Sequence, residues 1–262
     1  MRHGGKILVA ALEAHGVERV FTVPGESFLP VLAALHDSPI RTVVCRHEGG
    51  AAMMAEADGK LTGRAGVVIV TRGPGACNAS SGVHVARQDS TPMLLLVGQI
   101  ARGDRDREVF QEVDYRAMFT PLAKWVAEVG ETARLSEYLA RAFHVAQSGR
   151  PGPVVLALPE DVLAGLAEVA DREPVPPPPA PELRAEAAAV VREVTRATRP
   201  RAIVGGSGWT PGAARALGDV AAAWNLPVAA AFRRQDYLDN RHPCYVGDLG
   251  LSVNPALLKA LA

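Results

Sequence analysis

Short runs that are apolar along their whole length constrain this chain most. Val67–Val70 reads VVIV and Leu94–Val97 reads LLLV. A strand with one face in water alternates apolar and polar residues, because successive side chains point to opposite faces. Runs apolar at every position fit strands covered on both sides, as in parallel sheets held between helices. Strand candidates are Arg19–Val23, Arg41–Cys45, Gly66–Thr71, Met93–Gly98, Lys124–Val129 and Val154–Leu158. Helical patterns fall between them at Leu29–Leu35, Gly50–Thr62, Ala76–Arg87 and Thr132–Gln147. The alternation predicts βαβ units with right-handed crossovers, hence an α/β fold with a parallel six-stranded sheet flanked by helices. Aromatic residues make up only 5%, so the core rests on Ala, Val and Leu, which suits helices lying close to a sheet.

Residues 173–182 read EPVPPPPAPE. Four consecutive prolines neither donate to a ladder nor continue a helix, and they favour extended chain. The expected organisation is a first domain at 1–170, a linker at 171–182 and a second domain at 183–262. In the second, Leu183–Thr198 and Pro211–Asn225 read as helices, Arg201–Gly206 and Pro227–Ala231 as strands, and Asn254–Ala262 as the start of another helix. So few strands bury little surface. The expectation is therefore a partial Rossmann-like domain, from a fragment or a split gene.

Lys and Arg number 28 and so do Asp and Glu, so nothing favours nucleic acid or an anionic membrane surface. The apolar N-terminal run is broken by Glu13 and His15, and no stretch approaches the ~18 apolar residues of a membrane span. Cys45, Cys77 and Cys244 are odd in number and lack metal-ligand spacing, which predicts reduced thiols in a cytoplasmic protein.

The chemistry concentrates in Arg46–Asn78, RHEGGAAMMAEADGKLTGRAGVVIVTRGPGACN. It reads as a strand end, Glu48, a helix, a strand, and a Gly73-Pro74-Gly75 turn into a second helix. Open α/β sheets bind ligands beyond the carboxyl ends of their strands. Glycine there lets a ligand approach the backbone, and the following helix presents unpaired amides. Strand ends near Pro24, Glu48 and Gly73 can therefore converge on one crevice. Taken singly, Glu48 also reads as a carboxylate set against a helix dipole, and Gly-Pro-Gly as a plain strand-to-helix turn.

Together, VPGE (Val23–Glu26), RHEGGAAMMAEA (Arg46–Ala57) and TRGPGACN (Thr71–Asn78) are similar to the pyrimidine-binding domain of thiamine-diphosphate-dependent enzymes. FQEVD (Phe110–Asp114) resembles the active-site FQE of acetolactate synthases. The resemblance covers nearly the whole chain, with 1–170 similar to the pyrimidine domain and 183–262 to the start of the family's central domain. It implies thiamine diphosphate as cofactor, with Glu48 bonded to the aminopyrimidine ring nitrogen. Proton donation there favours the imino tautomer, whose exocyclic nitrogen takes the thiazolium proton. That role wants a carboxyl of raised pKa, and the apolar Ala51, Ala52 and Met53 lie nearby in sequence. By the same resemblance Pro24, Gly25, Thr71, Pro74, Gly75 and Asn78 line the cofactor ring, while Phe110 and Gln111 reach the substrate side.

The implied reaction is decarboxylation of a 2-keto acid such as pyruvate and ligation of its two-carbon unit to a second keto acid, as in branched-chain amino acid biosynthesis. Another keto-acid or acyl-CoA decarboxylase or lyase is the enzymatic alternative. An inactive binding or interaction module is the alternative of another class. The family holds the diphosphate and Mg²⁺ with a GDG motif followed by Asn, whereas Gly247-Asp248 is followed here by Leu249. The metal ligands are thus expected outside this chain, in a homodimer or tetramer of a longer chain or on a separately encoded diphosphate-binding domain. Gly205, Gly206 and Gly208 follow a strand, and some members bind FAD at such a loop, which leaves FAD open. Three residues differ from the common pattern: Glu26 where acetolactate synthases commonly have Gly, Arg72 where they commonly have Ser, and Cys77 where they commonly have Thr. Arg72 could meet an anionic substrate or an acidic neighbour. His47 reads as structural, and Arg102–Glu108 as a solvated loop.

Overall fold

A computed structural model describes residues 1–171, 173–174 and 181–261. The proline run at 176–179 lies outside them. The chain divides into two compact units, 1–178 and 179–262.

The first unit opens with β1 (Arg2–His3), α1 (Gly4–Ala14), β2 (Arg19–Thr22), α2 (Leu29–His36), β3 (Arg41–Val44) and α3 (Glu48–Thr62). It continues with β4 (Gly66–Val70), α4 (Pro74–Asp89), β5 (Met93–Gln99), α5 (Tyr115–Phe119) and β6 (Trp125–Glu128), then α6 (Leu135–Gln147), β7 (Pro153–Pro159), α7 (Glu160–Ala164) and β8 (Leu166–Ala167). The six-stranded sheet has the order β3-β2-β4-β5-β7-β6. Every neighbouring pair in it is parallel. The expected sheet is therefore present.

Alternate residues of the central strands feed two cores. Val67, Ile69, Leu94, Leu96, Val154 and Leu156 face α1, α2 and α6, whereas Val68, Val70, Leu95, Val97, Val155 and Ala157 face α3 and α4. Double coverage is why these strands carry no polar alternation. The second core is built largely from alanine: Ala51, Ala52 and Ala55 of α3 meet Ala76, Ala79 and Ala86 of α4. A Cβ on Gly82 would stand 2.4 Å from the Ala52 Cβ, and one on Gly66 would stand 1.9 Å from the Ala55 carbonyl oxygen. Small residues thus let α3 sit down on both its neighbours.

The sequence reading did not assign α1. It buries Ile7, Leu8, Ala11 and Leu12, a spacing that places them on one helical face. The pair β1–β8 is antiparallel and ties its start to the end of the unit.

In the second unit, α8 (Arg184–Arg196), β9 (Ala202–Val204), α9 (Pro211–Trp224), β10 (Val228–Ala231), β11 (Tyr245–Leu249) and α10 (Pro255–Leu261) follow in order. The parallel sheet runs β11-β10-β9. Strand β11 was missed because YVGDL is neither alternating nor continuously apolar. Gly247 takes φ +117° within it, and the pairing shifts register between Val228 and Ala229.

Candidate active site

After β2 the chain turns toward β3, and after β4 it turns the other way, toward β5. The carboxyl ends of β2 and β4 therefore flank the point where strand order reverses, the place where open α/β sheets leave a crevice. Pro24 and Gly25 follow β2, and Thr71–Gly75 follow β4. The two turns are in contact. A Cβ on Gly25 would lie 2.4 Å from the Thr71 Cβ, so only glycine permits the approach. The Ser27 and Thr71 hydroxyls are 2.9 Å apart, and the Arg72 amide donates to Ser27 Oγ at 3.4 Å.

Glu48 is the first residue of α3, immediately past the end of β3. The helix is capped by His47, whose Nδ1 accepts from the Gly49 amide at 3.0 Å. His47 is thus structural, and it relieves Glu48 of any capping duty. The half-buried Glu48 carboxylate instead accepts from Asn78 Nδ2, on the second turn of α4, at 2.9 Å. Both helices start at the carboxyl edge, so both aim their positive ends toward this pair. A Cβ on Gly75 would stand 3.5 Å from Glu48 Oε1 and 2.8 Å from Thr71 Cγ2. Gly75 is itself buried, and a side chain there would collide with Thr71 and abut the Glu48 carboxyl. The apolar neighbours in sequence behave differently from one another: Ala51 and Ala52 are fully buried in the helix core, while Met53 is 39% exposed.

Gly73 takes φ +59° and ψ −116°, and its amide donates to the Tyr115 hydroxyl at 2.8 Å. Burial pushes the Tyr115 pKa up to about 12, so the hydroxyl is neutral at physiological pH. Tyr115 escaped the motif reading. The available signal was general: a buried tyrosine needs a partner for its hydroxyl. Gln111, itself at φ +66°, packs on the same turn, because a Cβ on Gly73 would meet the Gln111 Cβ at 2.7 Å. Glu112 accepts from the Asp106 and Val109 amides at 2.8 and 3.2 Å, and these backbone bonds hold its carboxyl below the usual range. The FQE segment is therefore folded against the Gly-Pro-Gly turn through Gln111. Pro24, Pro74 and Phe110 are exposed, Phe110 at 74%.

Of the two readings of Arg72, the structure supplies the acidic neighbour twice over. Its guanidinium is 11% exposed and pairs with Glu160 at 2.9 Å and Glu26 at 3.4 Å. Two of the three residues that set this chain apart from the common pattern thus contact each other. The loop expected to be merely solvated is anchored as well: Arg102 pairs with Asp161 at 2.7 Å, and Arg105 pairs with Glu128.

In the second unit the glycine loop is filled by its own aromatic residues. Trp209 Nε1 donates to the Gly205 carbonyl at 3.0 Å, and the Tyr237 hydroxyl donates to the Gly206 carbonyl at 2.9 Å. The two rings stack at 4.9 Å. A dinucleotide diphosphate needs free amides at the helix start. Here Pro211 opens α9 without an N–H, and the Ala213 amide is taken by Thr210 Oγ1 at 3.1 Å. Among the described residues, no group of three or more His, Cys, Asp or Glu side chains could hold a metal ion, and no helix is long and apolar enough to cross a membrane.

Comparison with known proteins agrees with this geometry. The family description "Thiamine pyrophosphate enzyme, N-terminal TPP binding domain" matches residues 2–118, and "Thiamine pyrophosphate enzyme, central domain" matches residues 187–262. A catabolic acetolactate synthase of Raoultella terrigena is 42% identical over 165 residues, which are 63% of this chain and 30% of that protein. A probable acetolactate synthase large subunit of Methanococcus aeolicus is 33% identical, covering 95% of this chain and 43% of that protein. The acetolactate synthase of Bacillus subtilis (strain 168) is 33% identical, covering 96% and 44%. The chain spans less than half the length of each of these relatives.

Proposed function

Because this chain belongs to the thiamine pyrophosphate enzyme family, we propose that it supplies the half of an active site that receives the pyrimidine end of thiamine diphosphate, with Glu48 as the activating acid. The observation that carries this reading is the Glu48 carboxylate near the strand-order reversal, bonded to Asn78 and next to the Gly73–Gly75 turn. Thiamine diphosphate, when bound, supplies a nucleophilic carbon and an electron sink.

The protein's own part is orientation and proton placement. Glu48 holds the exchangeable proton at its carboxyl, opposite the position of a pyrimidine ring nitrogen. The Asn78 amide fixes the rotation of that carboxyl, so one oxygen stays turned outward. Gly25, Thr71 and Gly75 line the ring with backbone and small groups, and Pro24 and Pro74 border it. Phe110 and Gln111 face the substrate, with the Gln111 amide offering both a donor and an acceptor.

The reaction proposed is decarboxylation of a 2-keto acid such as pyruvate, followed by ligation to a second keto acid. In this reading residues 1–170 are the pyrimidine domain and 183–262 part of the central domain. The diphosphate and Mg²⁺ are held elsewhere, by another subunit of a dimer or tetramer or by a separately encoded domain, since Mg²⁺ needs several oxygen ligands. A panel of 2-keto acids, assayed for CO₂ and acetolactate with the completed enzyme, tests the reaction. Acetolactate from pyruvate is expected. Turnover confined to acyl-CoA substrates would replace this reaction with another.

A further inference from the structure

Two adjacent carboxylates at the end of β7 hold two different loops. Glu160 Oε2 accepts from Arg72 Nη1 at 2.9 Å, in the turn that carries Gly73–Gly75. Asp161 Oδ2 accepts from Arg102 Nε at 2.7 Å, and its Oδ1 accepts from the Arg102 amide at 3.1 Å, at the start of the loop that carries Phe110 and Gln111. Burial of Asp161 works against its charge, but the bonds and charge of Arg102 outweigh it, and its pKa is lowered.

We infer that Glu160 and Asp161 are positioning residues which set the Gly-Pro-Gly turn and the start of the Phe110–Gln111 loop, one through Arg72 and the other through Arg102. Both carboxylates sit on α7, whose start is fixed by β7, and β7 pairs along its length with β5 in the middle of the sheet. The reference point is therefore rigid. Arg72 is nearly buried, so its position follows its partners closely. Arg102 also donates to the Gly130 carbonyl, which pins the loop's first turn against the end of the sheet. The cofactor-side turn and the substrate-side loop thus take their spacing from one pair of neighbours. The functional part of this inference rests on the proposed cofactor reading. The mechanical part does not.

The test compares Glu160→Ala with Asp161→Ala by amide hydrogen exchange in the full chain. These side chains are 44% and 34% exposed, so both variants should fold. Glu160→Ala is expected to speed exchange at residues 72–76 several-fold and leave 102–106, ahead of the Gln111 contact with Gly73, unchanged. Asp161→Ala should do the reverse, and Arg102→Gln should reproduce it without adding to it. In the completed enzyme, Glu160→Ala should weaken thiamine diphosphate binding roughly tenfold, about 1.4 kcal/mol. Asp161→Ala should instead raise the keto-acid KM roughly tenfold and leave cofactor affinity within about twofold. Identical exchange patterns in the two variants, or a uniform rise across the first unit, would overturn the inference. A wild-type enzyme that binds no thiamine diphosphate would remove the functional reading, and the exchange pattern alone would then decide the mechanical one.

Discussion

At the scale of single residues, the site depends on groups whose partners are far away in sequence. Motif spacing pointed to Glu48 and Asn78 as site residues, and the fold joins the two by a hydrogen bond. Removing the donor in Asn78→Ala should free the carboxyl to rotate. The expected result is roughly a tenfold loss of kcat in the completed enzyme, about 1.4 kcal/mol, with KM nearly unchanged. Tyr115 was not legible, because its role exists only where α5 meets the Gly73 turn. Tyr115→Phe leaves the buried Gly73 amide without an acceptor, which should cost about 1–3 kcal/mol in urea unfolding. Tyr115 also predicts a pH dependence. Its folded pKa of about 12 lies above the unfolded value of about 10. Its contribution is therefore complete below pH about 10 and is lost as pH rises toward about 12. Alkaline unfolding of the wild type should show this limb, and the Phe variant should lose its Tyr115 share.

At the scale of elements, the continuously apolar strands announced a doubly covered parallel sheet, and the order reversal at β2 and β4 then placed the crevice. Elements that break the simple patterns stayed hidden. Helix α1 begins with glycines, and a Cβ on Gly5 would stand 2.1 Å from the Pro30 carbonyl oxygen, so tertiary packing rather than propensity placed them there. The ion pairs of Arg72 were equally invisible, since Glu26 and Glu160 come from separate turns. The close pairing of α3 with α4 matters most for function, because it sets Glu48 against Asn78. Gly82→Val inserts side-chain volume against Ala52. It should cost about 1–3 kcal/mol, or more if the helices cannot part, as read by thermal or urea unfolding. A stability change within about 0.5 kcal/mol would show that the helices are not held at this contact.

At the scale of the whole molecule, the proposed reading makes the chain half of a site. Glu48, Asn78 and the Gly25 and Gly73–Gly75 turns lie at one sheet edge. In that reading the diphosphate and Mg²⁺ are held by another domain. Calorimetric titration with thiamine diphosphate and Mg²⁺ should therefore detect weak binding to this chain alone, and tight binding once the diphosphate-holding domain is supplied. Equal affinity in both preparations would mean that the chain holds the diphosphate by itself. The most direct test of the central claim is the rate of CO₂ release from pyruvate by the completed enzyme carrying Glu48→Gln. Positioned acid–base groups contribute roughly 10²–10⁴-fold to rate, so turnover should fall by that factor while the melting temperature stays close to wild type. Near-normal turnover in that variant would contradict the assignment of Glu48 as the activating acid.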